Sequence, residues 1–272
     1  MKTTKSLALL SLFAIGLITV PAFAAPSLPA AQMASASVEG QAVADELKSR
    51  GAGYGDMTAS LTMQLRNASG QESSRAMRIK TLERDGGDWS LVVFDSPSDV
   101  KGTALLSHAK VSDSDDQWLY LPALGRTRRI SSKNTSGPFM GSEFAYEDIT
   151  GAEVDKFSWE LLATEACGKL TCKKLESTPK YDRSGYSKRV VWVDDSEYRV
   201  HKIDFYDRKG ELLKTLTYGN YEKFEGKHWR SKVWSMKNHQ SGKSTVLRFS
   251  DFHFANGYTE QDFSKAALSA AR

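Results

Sequence analysis

The side chains able to do chemistry are few and dispersed in this sequence of 272 residues. Its five histidines, His108, His201, His228, His239 and His253, are scattered over strand-like stretches. None forms the His-x-x-x-His pair or Glu-His signature of a metal centre. There is no Gly-x-Ser-x-Gly elbow, no glycine-rich phosphate cradle and no helical Ser-x-x-Lys pair. Glu143, Glu147 and Asp148 are close enough in sequence for acid–base work by paired carboxylates. In a loop rich in Gly and Ser, however, they are expected to face solvent or pair with nearby arginines. The expectation is a protein that is not an enzyme and needs neither metal nor cofactor. The two cysteines, Cys167 and Cys172, flank Gly168-Lys169-Leu170-Thr171 between strand-like runs, which reads as a hairpin with a local disulfide in an oxidising compartment. A redox pair would have two intervening residues and the start of a helix.

The residues that stand out are apolar. Between Gly102 and Asp148 the chain reads Trp118-Leu119-Tyr120-Leu121, then a basic run, then a loop from Ser136 to Asp148. That loop carries Phe139, Met140, Phe144 and Tyr146. Leaving such side chains in water costs about 1.5–3 kcal/mol each. They are therefore expected to turn inward, as a plug or lid over an apolar interior, or to bind a ligand. Met140 suits an adaptable apolar surface. Trp118 and Tyr120 share one strand face and Leu119 and Leu121 the other. The first pair is a candidate for the ligand-contacting wall, with the direction of the face left open. The basic run Arg126, Arg128, Arg129 and Lys133 has three readings: a charged strand edge that discourages edge pairing, a contact for a lipid headgroup or partner surface, and, last, a nucleic-acid contact. The charge balance argues against the third, because 37 basic residues face 33 acidic ones.

The elements that must position these residues are mostly strands. Lys2 and Lys5, an apolar run from Ser6 to Val20, Pro21, and Ala22-Phe23-Ala24 form a secretory signal peptide with cleavage expected after Ala24. The run is shorter than the roughly 20 residues of a bilayer span. No cysteine lies near the cleavage point, so the mature protein is expected to be free in the periplasm. Residues 25–37 are expected to be a flexible leader, and residues 38–272 one β domain. Residues 38–50 have helical spacing, ended by Gly51, Gly53 and Gly55. From Met57 the period becomes two: Ala59, Leu61, Met63 and Leu65 alternate with polar neighbours, and Met77 and Ile79 do the same. About a dozen strands follow at hairpin spacing. A short helix is expected from Thr259, capped with Asp262, to about Ala271. So few helices cannot cover a flat sheet, so the strands must curl on themselves, around side chains or around a cavity.

Lys101-Gly102-Thr103, the run from Trp118 to Arg129, Gly141-Ser142-Glu143-Phe144 and Tyr146-Glu147-Asp148 together resemble the LolA-like family of outer-membrane lipoprotein-sorting proteins. The resemblance extends from about Gly51 to the C-terminal helix. It implies an open, strongly curved antiparallel β-barrel of LolA/LolB type, with a few short helices as a lid. It also implies carriage of lipid or acylated protein in an apolar cavity, and an inner-membrane RND-type exporter as a partner. In that frame Leu61, Met63, Leu65, Met77, Ile79, Trp118, Tyr120, Phe139, Met140, Phe144 and Tyr146 are the candidate ligand contacts. Arg126, Arg128 and Arg129 are candidates for headgroup or partner contact. The alternative reading is a non-lipid periplasmic interaction module that assists an exporter, its sheet packed solid.

Overall fold

The computed structural model describes residues 30–150 and 153–271. The expected signal peptide and the cleavage after Ala24 lie outside the described residues. Thirteen described strands form one antiparallel sheet. They are β1 (Asp56–Arg66), β2 (Glu72–Leu82), β3 (Trp89–Ser96), β4 (Ala104–His108), β5 (Asp116–Leu121), β6 (Arg126–Ile130), β7 (Phe157–Cys167), β8 (Leu170–Pro179), β9 (Tyr186–Asp194), β10 (Val200–Asp207), β11 (Leu212–Phe224), β12 (His228–Asn238) and β13 (Ser244–Phe254). Successive strands pair as hairpins, with one break and one closure. β1 pairs with β13 in the middle of the sheet, whereas β6 and β7 stand at its two edges although they follow each other in sequence. The result is the open, strongly curved half-barrel that the family resemblance implies.

Register explains which residues look inward. Leu61 lies opposite Met77 on one side and Phe249 on the other, and Met63 lies opposite Leu247. The same row continues through Ile79–Val92, Val92–Leu105 and Leu105–Leu119. Because side chains alternate along a strand, Leu91, Val93, Ala104, Leu106 and Tyr120 point the other way. There they meet Phe263 and Leu268 of the C-terminal segment. The middle of β3 and most of β4 are buried on both faces, so they read as unbroken apolar runs rather than alternating ones.

Three α-helical segments complete the described chain: α1 (Ala30–Gly51), α2 (Tyr146–Ile149) and α3 (Lys265–Ala270). α1 begins before residue 38, so helix replaces much of the expected leader. Ala30, Ala31, Ala34 and Ala36 make that stretch favourable for helix. α1 crosses β7 closely: a Cβ on Gly40 would sit 2.7 Å from the Glu160 backbone. Ala44, one turn further along the same helix, is fully buried. The helix thus covers one sheet edge, while exposed Arg126, Arg128 and Arg129 occupy the other. The expected C-terminal helix divides in two. Asp262 accepts from the Thr259 N–H at 2.9 Å to open a 3₁₀ turn, and Ser264 then caps α3. Cys167 and Cys172 form a disulfide across the β7–β8 turn, with Cα atoms 5.7 Å apart.

Candidate ligand-binding cavity

The concave face of β1–β3, β12 and β13 surrounds a cavity of about 210 Å³. Leu61, Met63, Met77, Ile79, Leu247 and Phe249 form most of its apolar wall. Phe139 and Ile149 reach it from residues 131–150, which follow the β6 edge. Drug-sized ligands fill pockets of roughly 300–1,000 Å³, and this one is smaller because that segment occupies the interior.

That segment is a built plug. Pro138 bridges Ala145, and the Phe139 N–H donates to the Phe144 carbonyl at 2.7 Å, closing a tight hairpin. Met140 and Gly141 both have positive φ at its tip, 49° and 78°, as a hairpin turn of the primed kind requires. Phe139 and Phe144 are each only 1 % exposed. Phe139 packs on Phe94 and Tyr146, and Phe144 on Trp234. Polar anchors hold the hairpin to both halves of the sheet. Arg75 on β2 donates to the Met140 carbonyl, Thr245 on β13 accepts from the Glu143 N–H, and Asn238 on β12 donates to the Glu143 carboxylate. Lys214 on β11 reaches the Glu143 carbonyl at 2.8 Å and Asp148 at 2.7 Å.

Behind the plug lies a second, more polar chamber of about 130 Å³ against β7 and β9–β12. Asp148 accepts from Tyr186 as well as Lys214, and both members of the Lys214–Asp148 pair are almost fully buried. Glu147 accepts from Tyr181, Ser184 and the Gly185 N–H, each at 2.9 Å. Burial pushes the Glu147 carboxyl above its ordinary range, and neighbouring Asp148 adds to the effect. Burial likewise pushes the Tyr186 phenol well up. Lys156 pairs with Asp115 on the same wall. Asp148 and Trp234 line both chambers, so the indole stands at their junction.

The structure brings Leu61, Met63, Met77, Ile79 and Phe139 together on the apolar cavity. Leu65 does not line it; it packs against the core and borders a separate pocket with Gly141 and Glu143. Met140, Phe144 and Tyr146 pack into the surrounding core. Trp118 and Tyr120 do not join them. They face the convex side beneath the C-terminal segment, because the inward row on β5 is that of Leu119. Glu147 and Asp148 also depart from expectation. They are buried rather than solvent-facing, since the plug turns inward and takes their carboxylates with it. Arg126, Arg128 and Arg129 are exposed, with Arg129 paired to Asp116. His108 stacks on Trp89 and contacts the Phe263 carbonyl on the convex side, away from either chamber. Sequence reasoning passed over Met57, Trp234, Leu247, Phe249 and Phe252 on the wall. The alternation of Leu247 with Phe249 was a readable signal for part of it.

A family model described only as an uncharacterised protein matches residues 86–270. No curated protein matches the chain. Among solved structures, an outer-membrane lipoprotein-sorting protein domain from Vibrio parahaemolyticus is 49 % identical, with a TM-score of 0.84, over 86 % of this chain and 99 % of that one. A DUF1329 family protein from Desulfovibrio piger is 28 % identical, with a TM-score of 0.81, over 86 % and 99 %. A LolA superfamily protein from Nitrosomonas europaea shares the fold at 23 % identity, with a TM-score of 0.69, over 84 % and 98 %. None of these relatives indicates a catalytic family. The curved half-barrel with its plugged concave face, together with the extent of these matches, places the chain in the LolA-like family of outer-membrane lipoprotein-sorting proteins.

Proposed function

We propose that the protein is a periplasmic carrier for a lipid or an acylated protein, holding an acyl chain in the apolar chamber with residues 131–150 as a movable plug. The observation that carries this reading is the chamber itself: an apolar wall closed by Phe139 on a segment that belongs to neither sheet edge. The plug supplies the same kind of apolar contacts that a cargo chain would supply. Each methylene moved from water into the chamber contributes about 0.8 kcal/mol, and this gain offsets displacement of the hairpin. Met63 and Met77 give the wall side chains that adapt to different chains. The signal-peptide pattern and the sorting role named for the 49 % identical relative both support a periplasmic location.

The exposed strip of Arg126, Arg128 and Arg129 on β6 is a contact for an anionic headgroup or for an inner-membrane RND-type exporter. The test is binding of long-chain lipids to delipidated protein, with native mass spectrometry of protein purified gently from its own periplasm. Co-purified lipid or acylated peptide, and a rise in melting temperature on adding lipid, are expected. No binding and no shift would sink the carrier reading and leave a non-lipid interaction module in its place.

A further inference from the structure

The polar chamber contains a cation without a counter-ion at its side. Lys156 is paired with Asp115 and Lys214 with Asp148. Arg189, on β9, is 6 % exposed and lines the same chamber. Its Nε donates to Ser177 Oγ at 3.1 Å, and its guanidinium carbon sits 3.6 Å from the centre of the Phe157 ring. Among the described residues, no oxygen accepts from its two terminal nitrogens and no carboxylate lies within ion-pair distance. Burying a charge in this way is costly unless it is paired. Stacking on Phe157 offsets only part of that cost. Burial correspondingly lowers the guanidinium below its ordinary pKa.

The carboxylates nearby are engaged by other groups. Asp115 and Asp148 have lysine partners, and Glu147 is held by two hydroxyls and a backbone N–H. An oxyanion placed between them would find the planar donor fork of Arg189 free, a geometry that suits carboxylate and phosphate alike. Trp234 and Asp148 line both this chamber and the apolar one.

We infer that the polar chamber receives the anionic head of a single-chain amphiphile, a carboxylate or a phosphate, on the terminal nitrogens of Arg189 while its chain passes Trp234 into the apolar chamber. This rests on the carrier reading above and narrows it to a charged cargo.

The experiment measures equilibrium binding of palmitate, palmitoyl lysophosphatidylglycerol and uncharged monopalmitoylglycerol to the delipidated protein, to R189M and to R189K. At least one anionic ligand is expected to bind the native protein roughly tenfold or more tighter than the neutral one, the scale of a charge-assisted contact. R189M should lose that preference while keeping affinity for monopalmitoylglycerol, and R189K should keep part of it. Palmitate preferred over the lysophospholipid identifies a free carboxylate as the head, and the reverse order identifies a phosphate. Equal affinity of the native protein for all three ligands overturns the inference and leaves the carrier reading standing. Binding of none of them sinks both. The comparison within the native protein holds even if R189M does not fold.

Discussion

The two chambers of the interior are built by opposite means. The apolar one is a product of strand alternation: Met63, Met77 and Leu247 face inward because each is an even number of residues from its inward neighbours. The polar one is a product of the plug, which carries Glu147 and Asp148 into the sheet and recruits Lys214, Tyr181 and Tyr186 to satisfy them. One is held by shape and the other by charge. The first tolerates apolar side chains of similar volume, whereas the second fails if a single partner is removed.

That contrast can be broken at several points. The largest effect is expected for Lys214→Met. It leaves the buried Asp148 carboxylate without its cation and should cost about 3–5 kcal/mol in urea unfolding. Replacing the whole pair, with Lys214→Met and Asp148→Leu together, should recover much of that loss. If the single and double variants are equally unstable, the pair is not what fixes the plug. In the apolar chamber, Met63→Ala should cost about 2–5 kcal/mol, whereas Met63→Leu should cost less than about 1.5 kcal/mol. A comparable loss for both would show that this wall is not governed by volume.

A third measurement follows the pH dependence of stability. Glu147 has a raised folded-state pKa, because burial and Asp148 oppose its charge against the donors that hold it. The folded chain therefore binds more protons than the unfolded chain above the ordinary glutamate value of 4.5. Stability from this group is greatest below that value and is lost as pH rises through the folded pKa. Glu147→Gln should flatten the profile over that window, while Met63→Ala should shift it without changing its slope. The smallest effect is expected from replacing Arg126, Arg128 and Arg129 together with alanine, within about 0.5 kcal/mol per site in stability. A larger loss would mean that the strip supports the sheet instead of facing a partner.

The same contrast decides what could be read from the sequence. Alternation from Ala59 to Leu65 and at Met77 and Ile79 displays the strands and the inward row, because a period of two is a local property. The aromatic hairpin from Phe139 to Tyr146 also announces that it must be buried. Trp118 and Tyr120 were not assignable from pattern, because β5 is covered on both sides and only the docking of Phe263 and Leu268 separates its faces. Glu147 and Asp148 look like loop carboxylates until Lys214 and Tyr186, far along the chain, are brought beside them. α1 began earlier than expected because alanines that resemble a leader are also strong helix formers.

The pairing of β1 with β13 has a consequence for how the molecule is made. A strand at the start of the sheet waits for its partner until the end of the chain has arrived, so Met63 and Leu247 meet late. Contacts of such long sequence separation slow folding and keep apolar edges open in the meantime. For a chain made from its N-terminus, every hairpin from β1 to β12 can form before the sheet can close. Biogenesis thus has a vulnerable interval in which the apolar concave face is open to any passing chain. A holding chaperone present during synthesis should raise its yield more than that of a protein whose strands pair only with their neighbours.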